Sequence, residues 1–113
     1  MVLVYTTAQQ AGVPITVPTV VLAEWWRAGA GKRFRERVVA SIHVDDLTRR
    51  IATLAGEALG LVVGSRPDQG TIDGVVMTSA WLRGDVIYTT DVGDLGALRA
   101  KVPAFAAVRI EHA

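Results

Sequence analysis

Apolar positions near the start of the chain, Val2, Leu3, Val4, Tyr5, Ala8 and Ala11, recur at spacings of three and four and stop at Gly12. That pattern predicts an opening helix over residues 1–11 with a glycine at its C-cap. The period then changes. Residues 13–17 (VPITV) are short, β-branched and bounded by Gly12 and Pro18, as in a buried strand. Pro18 and Thr19 open a second helix through VVLAEWWRA, which ends near Gly29 to Gly31. A third helix is expected over 32–41 and a strand over 42–44. A fourth helix follows over 47–60 (LTRRIATLAGEALG), with Asp45 or Asp46 as its cap. Residues 64–70 (GSRPDQG) carry turn chemistry at nearly every position and predict a loop. Helix returns over 71–83, and Gly84 and Asp85 turn the chain into a strand over 86–90 (VIYTT). A short helix over 95–100 (LGALRA) and a last strand near 107–110 complete the pattern.

Apolar strands that alternate with helices of ten or more residues predict an α/β domain, with a mostly parallel central sheet flanked by helices. In such sheets functional groups gather beyond the carboxyl ends of the strands. The strand over 86–90 runs straight into Asp91, which makes that strand end the place to look.

Composition narrows the classes. The chain has 113 residues, half of them hydrophobic, with 12 Lys and Arg against 11 Asp and Glu and no cysteine. One domain spanning 1–113 is expected at this length. A net charge of +1 requires any nucleic-acid contact to use a local patch. Without cysteine there is no disulfide framework, zinc finger or thiol chemistry. No apolar run approaches the ~18 residues of a membrane span, and the opening lacks the pattern of a signal peptide, so a cytoplasmic location is expected.

Four acidic residues, Glu24, Asp73 and the pair Asp91 and Asp94, stand where a plain solvated helix would not put them. Glu24 lies inside VVLAEWW, with four apolar residues before it and two tryptophans after it. A carboxylate there must reach solvent at an edge or be held by a partner. A surface pair with Arg27, three residues on, is the plain structural explanation. Asp73 falls in the first turn of the apolar helix DGVVMTSAWL, where the helix dipole favours a negative charge. Asp91 ends a strand, and Asp94 stands at the mouth of the next helix. Clustered carboxylates call for a cation, and oxygen-only ligation is what Mg²⁺ and Mn²⁺ prefer. Such ions drive phosphodiester hydrolysis by activating water.

Taken in order, VPTVVLAEWW, TIDGVVMTSAWLRG and VIYTTDVGDLGAL resemble the three motifs of PIN-domain ribonucleases, especially VapC-type toxins of bacterial toxin–antitoxin pairs. The resemblance covers most of the chain. Glu24 matches the early helical glutamate of that family, Asp73 with residues 74–80 matches its helix-opening aspartate, and Thr89, Thr90, Asp91 and Asp94 match its third motif. It implies a PIN-like fold and a Mg²⁺- or Mn²⁺-dependent endoribonuclease with Glu24, Asp73, Asp91 and Asp94 as its metal-ligating, catalytic set. It also implies a cognate VapB-type antitoxin whose C-terminal segment covers the acidic cleft, and a homodimer. Family members open with a hydrophobic strand ending in a further aspartate. Here no aspartate precedes Asp45, so the expected chain lacks that strand, through truncation or a misassigned start. The alternative is a catalytically silent PIN-like module that binds an antitoxin or a second copy. An unrelated α/β phosphate-binding domain is a third possibility, weakened by the lack of a glycine-rich loop after a strand.

Between residues 27 and 37, Arg27, Lys32, Arg33, Arg35 and Arg37 face only Glu36, a local balance of +4. Such a run can track an RNA backbone, or it can be a solvated helix face. Arg27, Lys32, Arg33 and Arg35 are the candidate RNA contacts. Trp25 and Trp26 could stack bases, though adjacent helical aromatics point to different faces. Gly29, Gly31 and Lys32 do not make a P-loop, since Arg33 stands where Ser or Thr is required. His43 and His112 lack catalytic company, and Glu57 reads as a surface position.

Overall fold

A computed structural model of the chain describes residues 12, 14–27, 29, 31–62, 70–89 and 92–112. The opening helix over 1–11, most of the loop over 64–70 and Asp91 lie outside the described residues. The described chain falls into two compact units, one ending at Asp46 and one beginning at Leu47.

In the first unit, strand β1 (Thr16–Pro18) leads directly into helix α1 (Thr19–Arg27). Pro18 has no N–H to donate and a φ already suited to a helix start, so the strand stops where the helix begins. Helix α2 (Lys32–Ser41) follows, and strand β2 (His43–Asp45) returns parallel to β1 with Val17 opposite Val44. The Ile15 carbonyl accepts from the His43 N–H at 2.9 Å. β1 thus starts three residues later and ends one later than the apolar pattern alone suggests, and β2 lies one residue later, because the ladder is set by the partner strand. Val17 and Val38 are buried, whereas α1 buries no residue at all.

The second unit opens with helix α3 (Arg49–Gly60). Its cap is Thr48, neither Asp45 nor Asp46: the Thr48 hydroxyl accepts from the Ile51 N–H at 3.1 Å, while Asp45 belongs to β2. Helix α4 (Thr71–Arg83) spans the range its periodicity predicts. Gly84, at φ 73°, supplies the left-handed cap, and the next N–H, from Asp85, donates to the Ala80 carbonyl at 3.0 Å. Strand β3 (Ile87–Thr89) is followed by helix α5 (Gly93–Lys101), which begins two residues before the predicted 95–100. A 3₁₀ turn (Pro103–Phe105) that the pattern did not show then places Val102, Phe105 and Val108 three apart on one buried face. Strand β4 (Ile110–His112) pairs parallel with β3, Tyr88 opposite Glu111. It too lies later than expected, since the 3₁₀ turn occupies the residues just before it.

The chain is therefore α/β with parallel strands. Among the described residues these form two separate two-stranded sheets where one central sheet was expected. Each strand has only three residues, and β1 ends where a helix begins. The core of the second unit joins Met77 and Ala80 of α4 to Ile87, Leu95, Leu98 and Phe105. Helix α3 closes on α4 across Gly74, where an added Cβ would stand 3.0 Å from Leu59 Cδ1. No helix among the described residues is long and apolar enough to cross a membrane.

Candidate active site

Of the four candidate carboxylates, Asp73, Asp91 and Asp94 fall in the second unit, and the two described ones, Asp73 and Asp94, each stand in the first turn of a helix. Gly84 reverses the chain after α4, and Met77 and Ala80 share a core with Ile87, so α4 runs back along β3. Its first turn, with Asp73, thus lies toward the carboxyl end of β3, where α5 starts with Asp94 in its own first turn. Both positions favour a negative charge, since the unpaired N–H groups of a helix start give it partial positive charge. Neither helix start has a side-chain cap: Gly70 caps α4 and Val92 caps α5. Asp73 is half-buried beside the fully packed Gly74, whereas Asp94 is exposed. Asp91 falls between β3 and α5 and lies outside the described residues.

Glu24 sits on α1 in the first unit. Its side chain is exposed, so the carboxylate meets the burial problem by reaching solvent. The surface pair with Arg27 does not form: neither residue takes part in an ion pair among the described residues.

The basic run also belongs to the first unit. Arg27, Lys32 and Arg33 are exposed, and Arg35 is half-buried with its guanidinium 5.1 Å from the centre of the Trp26 ring. Arg35 Nε is buried without a hydrogen-bond partner. Trp25 turns the other way and packs edge-on against Phe34 at 6.2 Å, and Arg37 covers the Phe34 ring at 5.6 Å. The two tryptophans thus divide as adjacent helical aromatics must, Trp25 half-buried and Trp26 41% exposed. The i,i+3 spacing of Phe34 and Arg37 was legible, but only the fold shows which ring each arginine covers. His43 and His112 are exposed at strand ends, and Glu57 is exposed on α3.

Carboxylate oxygens are the hard donors that Mg²⁺ and Mn²⁺ take, so the chemistry of Asp73 and Asp94 fits such an ion. Among the described residues no three acidic, histidine or cysteine side chains gather as a ready metal group. No family model and no curated protein matches the chain.

Proposed function

We propose that this protein is a Mg²⁺- or Mn²⁺-dependent endoribonuclease of the PIN-domain, VapC type. The observation that carries the reading is that two aspartates of the second unit stand in the first turns of helices, Asp73 in α4 and Asp94 in α5, and that α5 follows the carboxyl end of the parallel strand β3. That is where α/β proteins assemble their chemistry. Asp73, Asp91 and Asp94 would hold the ion through carboxylate oxygens, while Glu24, the fourth residue of the resemblance, belongs to the first unit. Once bound, the ion supplies Lewis acidity to the phosphoryl oxygens and a more acidic water. Asp73 is held in place from behind by the close approach of Gly74 to Leu59, which limits how α4 can shift. Water is the nucleophile, and a P–O ester bond of RNA breaks. The basic residues Arg27, Lys32, Arg33 and Arg35 would contact the phosphates. In this reading a VapB-type antitoxin covers the acidic site, and the protein acts as a homodimer.

A second reading is a catalytically silent module that binds an antitoxin or another copy. The deciding experiment is Mn²⁺-dependent cleavage of a structured RNA mixture by the parent, Asp91→Asn and Asp73→Asn, all first shown folded by circular dichroism. Cleavage by the parent that both variants lose supports the nuclease. A folded parent that cleaves nothing at any Mn²⁺ concentration leaves the silent module.

A further inference from the structure

The first unit carries a run of cations without ion pairs, and the second unit has such cations too, in Arg49, Arg50, Arg99 and Lys101. Arg83 and Arg109, both on the second unit, are neutralised by Asp85 at 2.8 Å and Glu111 at 2.9 Å. None of Arg27, Lys32, Arg33, Arg35 and Arg37 makes an ion pair among the described residues. Cations that the fold leaves uncompensated on a small surface keep their attraction for an external anion.

Beside them stands an exposed ring. Trp26 and Glu24 are two residues apart on α1, so they point to different flanks of that helix. The indole, 41% exposed, faces Arg35 instead, with the guanidinium over its face. Arg27 is its neighbour in sequence, and Lys32 and Arg33 open α2. An exposed aromatic face carrying a cation, with further unpaired cations close to it in sequence, suits an unstacked base together with its flanking phosphates. An acidic protein segment would use the cations but would gain little from the ring. Duplex RNA would offer phosphates, but its bases are already stacked on one another.

We propose that Trp26, Arg27, Lys32 and Arg35 form a surface for single-stranded RNA, in which a base stacks on the Trp26–Arg35 pair while the other cations take the phosphates. This rests on the nuclease reading only in taking RNA as the ligand, and it holds equally for a catalytically silent protein.

The test is fluorescence anisotropy in EDTA, where cleavage is suppressed. The probes are a labelled unstructured oligouridylate and a labelled RNA duplex, with polyglutamate as competitor. The full chain is expected to bind the single strand about tenfold more tightly than the duplex. Trp26→Ala should weaken single-strand binding by about tenfold, with Trp26→Phe retaining most of it. Lys32→Glu should lower affinity for both probes and flatten the loss of binding between about 50 and about 200 mM salt. If Trp26→Ala does not fold, Arg35→Gln serves in its place, since it removes the stacked cation and leaves the ring. Equal affinity for strand and duplex, or unchanged binding in folded Trp26→Ala or Arg35→Gln, overturns the proposal. So does polyglutamate competing as well as RNA, which would make this a protein-docking face. Loss of Mn²⁺-dependent cleavage with single-strand binding intact rejects the nuclease and leaves this surface standing. Cleavage by a parent whose binding ignores Trp26 does the reverse.

Discussion

The close packing at Gly74 gives a measurement in which two terms of known sign oppose each other. Replacing a helical glycine by alanine stabilises an exposed helix by about 0.8–1 kcal/mol, because the unfolded chain loses freedom it would otherwise keep. Gly56, exposed in the middle of α3 with nothing within 4 Å of an added Cβ, should show that gain undiminished. Gly74 is helical too, but its Cβ would stand 3.0 Å from Leu59 Cδ1 and 3.1 Å from Leu59 Cγ. Overpacking of that kind costs roughly 1–3 kcal/mol, so Gly74→Ala should come out neutral to about 2 kcal/mol destabilising. The assay is urea unfolding followed by circular dichroism, comparing midpoints at constant slope. Combining Gly74→Ala with Leu59→Ala should recover about 1 kcal/mol relative to the sum of the two single changes, because the clash is removed once for both. If Gly74→Ala proved as stabilising as Gly56→Ala, Leu59 would be free to move aside. The claim that this contact holds the helix bearing Asp73 would then be wrong.

Other outcomes follow from single contacts. Thr48→Ala should cost about 1 kcal/mol by removing the hydroxyl that accepts from Ile51 N–H, whereas Asp46→Ala should leave the midpoint of unfolding nearly unchanged. Thr78 is fully buried with its hydroxyl unpartnered, so Thr78→Val should raise stability by about 1 kcal/mol. A loss of that size in the same urea series would mean that the hydroxyl has a partner. Phe105→Ala, at a residue 2% exposed and edge-on to Trp81, should cost about 3–5 kcal/mol and show as a large drop in thermal midpoint. Asp73→Asn should weaken Mn²⁺ binding by calorimetry with little change in the circular dichroism spectrum. Unchanged affinity would remove Asp73 from the proposed ligands.

Helices came through most directly from the sequence. The helix over 71–83 is bounded by Gly70 and Gly84, and its buried residues run almost without a break from Gly74 to Ala80, so the chain itself says where it starts and ends. Asp73 and Asp94 could likewise be read as first-turn acids, because a helix start is a local event. The alternation of apolar strands with helices was also enough to give the α/β class. Strand limits were another matter. β1, β2 and β4 each fall later than the apolar pattern suggests, since a ladder's extent depends on a partner strand distant in sequence. The cap of α3 went to Thr48 because the backbone of Asp45 was already committed to β2. The division of Trp25 toward Phe34 and Trp26 toward Arg35 follows from how α1 and α2 meet. Local sequence determines which helices form and where charge is welcome on them. Pairing partners and which side chains meet are decided only when segments distant in sequence pack, because those contacts have no local substitute.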